Sequence, residues 1–374
     1  MDFELGEELS ELGSLATTIF ADRAAASRLR EVETGPTRVD DQLWAVLSRA
    51  GLLAACLPGE VGGGGLGLAG AAVLLEQQGR TVAPVPLWSA LLAARALASA
   101  SVAEDVVASL VSGEARVTLA LEEYGAPDPS APRARARSAG TGWRLSGTKA
   151  VVPSPQGASH VLASAQTDRG AGLFLAPVDA PGVSWRWSES TSLDMAGELT
   201  LDDVDALGVG DPDGLLLGRV LAWSRVALAA LQVGVANGAL ALATSYLSGR
   251  RQFGRPLGSF QAVQHQLADC QMAIDAMWLT TWQAVELLDA DEPDDRDAER
   301  ASLVAAWWCG QSGLDVVHRV QHLHGGLGVD VDYPVHRHFL WGKQIASTLG
   351  GPELALERLG ELLAPVIPDE RSAS

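Results

Sequence analysis

The chain has 374 residues, 47% of them hydrophobic, enough to bury cores in two or three domains; this excludes a disordered tail, a disulfide mini-protein and a single small binding module. Aromatic residues make up only 5%, so the cores fall to Ala, Leu and Val, a helix-rich composition rather than that of a β-sandwich. With 27 Lys and Arg against 46 Asp and Glu the formal charge is −19; phosphate backbones and anionic membranes repel such a chain, and nucleic acid is not an expected partner.

In chain order, Phe3 to Leu29 carries apolar residues at three- and four-residue intervals and predicts a helix, and Asp41 to Ala50 predicts a short one stopped by Gly51. The stretch Pro58 to Gly67 is too glycine-rich for helix or strand. Helical patterning resumes at Leu68 to Gly79 and at Trp88 to Leu110. The texture changes near Ala115. Short strands are predicted at Val117 to Leu121, Ala134 to Ala139, Trp143 to Leu145, Ala150 to Val152, Val161 to Ser164 and Leu173 to Leu175, separated by Gly, Pro, Ser and Asp. This block, to about Pro212, reads as a small β-barrel or sandwich. From Asp213 long helices return: Gly214 to Gly249, Ser259 to Asp289, Asp297 to His324, Pro334 to Leu349 and Pro352 to Leu363, the pattern of an antiparallel four-helix-type bundle. The expected fold is mainly α with a central β-domain, divided at residues 1–115, 116–212 and 213–374.

Cys56, Cys270 and Cys309 are scattered without a CxxC, so neither a disulfide framework nor a zinc site is expected. Met1 to Ser14 is acidic and lacks the positive start of a signal peptide. Val226 to Leu247 is free of charge, but Gln232, Asn237, Thr244 and Ser245 fit a helix buried in a bundle better than a membrane span. The acidic run Asp289 to Arg300 reads as a solvated helix–helix loop. A soluble cytoplasmic protein is expected.

Two clusters could carry chemistry. Arg250-Arg251-Gln252-Phe253-Gly254-Arg255-Pro256 lies between two long helices and concentrates three arginines in an acidic chain. Cations at a helix C-terminus account for it, and so does a phosphate clamp, because guanidinium matches phosphate oxygens bidentately. Gln321-His322-Leu323-His324-Gly325-Gly326-Leu327-Gly328 is the second. Its backbone amides can approach a ligand closely. His318 and His322 have i,i+4 spacing but no HExxH-type acid, so no metal is expected.

Together with Phe260-Gln261 and Tyr333-Pro334-Val335-His336-Arg337, these clusters make the sequence resemble the acyl-CoA dehydrogenase superfamily, over essentially the whole chain. Glu76-Gln77-Gln78-Gly79-Arg80 after the glycine loop is similar to the family's N-terminal domain, and Leu145-Ser146-Gly147-Thr148-Lys149 to its β-domain. The resemblance implies FAD at a subunit interface. It implies that Arg250 holds the pyrophosphate of the FAD seated in the neighbouring subunit, that Phe253 and Gln261 contact flavin or adenine, and that the turn at His322, Gly325 and Gly326 supplies backbone contacts to the same FAD. It implies an acyl-CoA substrate, from which a glutamate takes the α-proton while the flavin takes the β-hydride, leaving a trans-2-enoyl-CoA. The implied electron acceptor is an electron-transfer flavoprotein or similar protein.

The chain departs from that pattern where its own chemistry would sit. The usual glutamate falls at Leu349 or Gly350, and the alternative position, just before Arg225, is Ser224. An unassisted serine has too high a pKa for the task. The usual Trp-Ile-Thr that contacts the flavin ring is Val151-Val152-Pro153, the flavin loop is reduced to Leu121 to Asp128, and the usual glutamine before Gly-Gly is His322, with Gln321 displaced by one. The residues for the chain's own flavin are degraded, while those reaching a neighbour's are present. The chain resembles the base-lacking subunits of actinobacterial α2β2 acyl-CoA dehydrogenases that act on CoA-linked steroid side chains. That implies no catalytic residue here and a paralogous catalytic partner in a heterotetramer. Two rivals stand beside it. One is a self-associating, self-sufficient dehydrogenase whose base is Glu353, Glu122, Glu123 or His324. The other is a scaffold without redox chemistry, against which Arg250 argues.

Overall fold

The computed structural model describes residues 5–126, 128–290 and 294–364. The first helix, α1 (Glu7–Arg23), buries Leu12, Ala16 and Phe20 at four-residue intervals. The predicted helix Phe3 to Leu29 breaks after it: Ala25 is extended, and α2 (Ala26–Glu33) restarts to bury Leu29 and Val32. No Gly or Pro marks this break, so tertiary packing sets it. Asp40 caps α3 (Asp41–Arg49), accepting the Gln42 and Leu43 N–H groups at 3.1 and 3.0 Å. Next come α4 (Leu52–Ala55), α5 (Gly67–Thr81), α6 (Leu87–Ser99) and α7 (Glu104–Val111). The last two divide the predicted helix Trp88 to Leu110 at Ala103, which is left-handed.

The β-region holds β1 (Val117–Ala120), β2 (Arg135–Ala139), β3 (Gly142–Pro153), β4 (His160–Gln166), β5 (Ala171–Pro177), β6 (Val183–Glu189) and β7 (Met195–Val209). The strand order β1-β4-β2-β3-β7-β5, with β4 also paired to β5, closes a barrel, and β6 adds to β7 at the edge. Two predicted strands, Trp143 to Leu145 and Ala150 to Val152, are the ends of β3. A register shift between Leu145 and Gly147 lets it continue. The sequence reading missed β6 and β7.

The C-terminal helices are α8 (Leu215–Gly249), α9 (Gln261–Leu288), α10 (Asp295–Leu323), α11 (Val335–Ser347) and α12 (Gly351–Leu363). Among the described residues α8 is the one helix long and apolar enough to cross a membrane, and 83% of its most apolar window is buried inside the fold. It crosses α5 at backbone contact: a Cβ on Gly234 would stand 2.1 Å from the Glu76 carbonyl oxygen, and one on Gly79 2.2 Å from that of Leu231. Helices from both ends of the chain share one hydrophobic core, running from Phe20 and Leu74 through Val226 and Leu231 to Val317 and Trp341. The barrel interior, built on Leu145, Val161, Phe174 and Leu199, forms a second.

The acidic run is less solvated than expected. Asp289 pairs with Arg95 at 2.7 Å and accepts the Ala69 N–H at 2.9 Å, while Asp294 caps α10. Asp291 to Pro293 lie outside the described residues.

Candidate functional site

Arg250 leaves α8 in an extended conformation, its N–H donating to the Tyr246 carbonyl at 2.8 Å. A two-residue hairpin follows, β8 (Arg251–Gln252) against β9 (Arg255–Pro256), turning through Phe253 and Gly254. The three arginines have separate jobs. Arg251 donates to the Gly254 carbonyl at 3.0 Å, and Arg255 lies over the Phe260 ring at 4.0 Å. Arg250 is exposed, and among the described residues its guanidinium has neither a hydrogen bond nor a carboxylate partner. Phe253 is 88% exposed and left-handed, φ 52°. For a bulky residue that conformation costs about 1–2 kcal/mol, and the exposed ring returns nothing inside this chain beyond an edge contact with Phe260. Gln261 opens α9, exposed beside it.

The second cluster comes to the same end of the bundle. His322, Gly325 and Gly326 are exposed at the end of α10, with Gly325 left-handed. His324 instead points inward, 3% exposed, its ring 4.9 Å from that of Tyr246. Gln321 is engaged too: its Nε2 donates to the Gly328 carbonyl at 3.1 Å and braces the turn. The geometry therefore places all six predicted positions, Arg250, Phe253, Gln261, His322, Gly325 and Gly326, on the surface. It gives the displaced glutamine a structural role. Among the described residues no group of three or more His, Cys, Asp or Glu could hold a metal, and His318 packs edge-on against Phe339.

Val151 and Pro153, matched to the family's flavin-ring contacts, line a cavity elsewhere, between the barrel and the helices. Glu122, Val151, Pro153, Asp194, Trp341 and Thr348 are among its lining residues, and its volume is about 80 Å³. Neither alternative glutamate position offers a base. Ser224 is fully buried and spends its hydroxyl on the Val220 carbonyl at 2.7 Å. Leu349 is buried and left-handed, φ 55°, and Gly350 follows at φ 86°.

The rival bases separate cleanly. Glu123 is locked: it pairs with the buried Lys149 Nζ at 2.6 Å and accepts the Arg133 and Ala134 N–H groups, which hold its carboxyl below the usual range. Burial in turn pulls Lys149 down to about 8. Glu353 is exposed in the first turn of α12, where the helix dipole accounts for it. His324 bonds the Val320 carbonyl through Nδ1 at 2.8 Å, and burial lowers its pKa. Glu122 differs. Burial against the cavity pushes its carboxyl up to about 7, opposed only by a hydrogen bond from the Leu349 backbone. Asp194, on the same cavity, is pushed up to about 6 by burial and was not legible in the sequence. It has no motif, and only the β6–β7 connection brings it there.

The acyl-CoA dehydrogenase N-terminal domain family matches residues 7–114 and the C-terminal domain family residues 215–362. The chain is 36% identical to acyl-CoA dehydrogenase FadE27 of Mycobacterium tuberculosis, covering 97% of this chain and 99% of that protein. Among solved structures it is similar to a chain of the Tcur3481-Tcur3483 steroid ACAD, at 55% identity and TM-score 0.92, covering 99% of this chain and 100% of that one. It is also similar to a chain of the ChsE4-ChsE5 complex from Mycobacterium tuberculosis, at 34% identity and TM-score 0.89, covering 98% and 100%. Helical, β and helical regions in this order, matched at both ends by the family's own domains, place this chain in the acyl-CoA dehydrogenase family, whose members are FAD-dependent.

Proposed function

We propose that this chain is the non-catalytic subunit of a heteromeric FAD-dependent acyl-CoA dehydrogenase, completing the FAD site of a catalytic paralogue. One observation carries the reading. The surfaces that would reach a neighbour's FAD are free and outward, at Arg250, Phe253, Gln261, His322, Gly325 and Gly326, whereas the positions where the chain's own base would stand hold the buried Leu349 and Ser224. Arg250 would bind pyrophosphate oxygens bidentately, Phe253 would pack on a flat ring, and the Gly325–Gly326 backbone would come close to the same dinucleotide. When bound, the flavin supplies the hydride acceptor, and the partner's carboxylate would receive the α-proton. Likeness to a steroid ACAD and to a two-component complex supports a bulky steroid-side-chain CoA thioester as substrate and a heterotetramer as the assembly. A cytoplasmic location and an electron-transfer flavoprotein as acceptor complete the proposal.

The test is flavin content and native mass, for the chain alone and for the assembly it forms in its own cells. A colourless lone chain and one FAD per two chains in the assembly support the reading. A yellow homotetramer with one FAD per chain and full turnover sinks it. Glu122 supports the second reading, a self-sufficient enzyme, because a buried carboxyl with a pKa near 7 suits a general base. In such an active lone preparation Glu122→Gln would lower turnover by about 10²-fold or more.

A further inference from the structure

The two exposed pieces of the cofactor edge are physically joined. Tyr246 lies one helical turn before Arg250 and receives the Arg250 N–H on its carbonyl. His324 lies immediately before Gly325. Their rings stack at 4.9 Å and 17°. Tyr333, in the turn before α11, closes the group at 5.3 Å from His324 and 6.3 Å from Tyr246. His324 is buried and anchored to the Val320 carbonyl at 2.8 Å, so the ring is fixed to the last turn of α10 rather than to the glycines after it. The stack thus adds a direct side-chain link between the two loops, beyond the core that α8 and α10 share through Leu247 and Val320.

We infer that the Tyr246–His324–Tyr333 stack is a positioning device, setting the spacing between the Arg250 hairpin and the Gly325–Gly326 turn and thereby one subunit's grip on the flavin dinucleotide seated in its neighbour. The inference rests on the cross-subunit reading of Arg250. Its physical basis is pre-organisation: a phosphate clamp and a backbone cradle held in register bind without first being ordered. The three residues touch no cofactor in this account and act through Arg250 and the glycines.

The experiment uses the flavin-bearing assembly purified through a tag on this chain, and follows FAD release by the rise of free-flavin fluorescence. His324→Ala is expected to speed release about five- to tenfold, and His324→Phe, which keeps a stacked ring, to stay within about twofold. Tyr246→Leu keeps apolar volume without the stacking partner and should match His324→Ala. In an Arg250→Ala background His324→Ala should add less than about twofold. A residue that merely supports the fold would give the same factor in both backgrounds, and that result overturns the positioning role. So does loosened FAD in Arg250→Ala that neither His324→Ala nor Tyr246→Leu reproduces. Unchanged release in Arg250→Ala itself overturns the cross-subunit reading.

Discussion

Arg250 and Glu122 are opposite cases of one rule, that a charge needs a partner. The Arg250 guanidinium is exposed and unengaged, so water serves it, and in the proposed assembly a phosphate would take that water's place. Arg250→Ala should weaken FAD binding by the assembly about tenfold or more, the size of a charge-assisted hydrogen bond, with the fold intact. Flavin titration checks it. Glu122 has no such exit. Its folded pKa, about 7, lies above its ordinary value of 4.5, so the folded chain holds the proton more tightly than the unfolded one. Stability is therefore highest below pH 4.5 as far as this group is concerned, and falls as pH rises through about 7. Asp194 acts in the same direction between 3.8 and about 6. Glu122→Gln should flatten the decline between pH 5 and pH 8, read as the urea midpoint at each pH. The pair Glu123 and Lys149 behaves differently, since each charge compensates the other at 2.6 Å. Lys149→Met should cost about 3–5 kcal/mol in urea unfolding, because it strands a buried carboxylate.

At the scale of elements, the sequence was most legible where period and composition agree. The long helices α8, α9 and α10 lie within a few residues of their expected bounds, because their apolar spacing is sustained. The bends were not legible. Nothing local at Ala25 or Ala103 breaks a helix; which core each half packs against decides it. Strand β6 was missed although VSWRWSE alternates apolar and polar residues, with Val183 and Trp185 packed on the barrel core; only its pairing along β7 makes this short exposed edge a strand. The Arg250 and Gly325–Gly326 clusters were legible as motifs, but the inward turn of His324, which meets Tyr246 of α8, and the use of Gln321 as a brace for its own turn were not. The α5–α8 crossing yields a sharp test. Gly234→Ala puts a methyl 2.1 Å from the Glu76 carbonyl oxygen and should destabilise by about 3 kcal/mol, seen as a lower denaturation midpoint.

For the whole molecule, the contrast between the outward edge and the inward cavity predicts behaviour that no single residue does. Phe253→Ser should leave the melting temperature of the lone chain unchanged, because the ring is 88% exposed there, yet weaken flavin retention in the assembly. Comparing thermal melts with flavin content separates the two. Long-range ties hold the chain ends together. Glu33 and Arg337 form a two-pronged ion pair between α2 and α11, and Asp289 links α9 to α5 and α6.

The core shared by the first and last helices also sets a timetable for synthesis. Helix α5 packs through Glu76 and Gly79 on α8, which the ribosome makes only after the whole barrel. At roughly 5–20 residues per second, the apolar flank of the N-terminal helices waits about ten seconds or more for its cover. The barrel, with an interior of its own, can close during that interval. The nascent chain thus carries a folded middle and an unfinished beginning, a state in which a holdase chaperone binding the early helices would raise the yield of soluble protein.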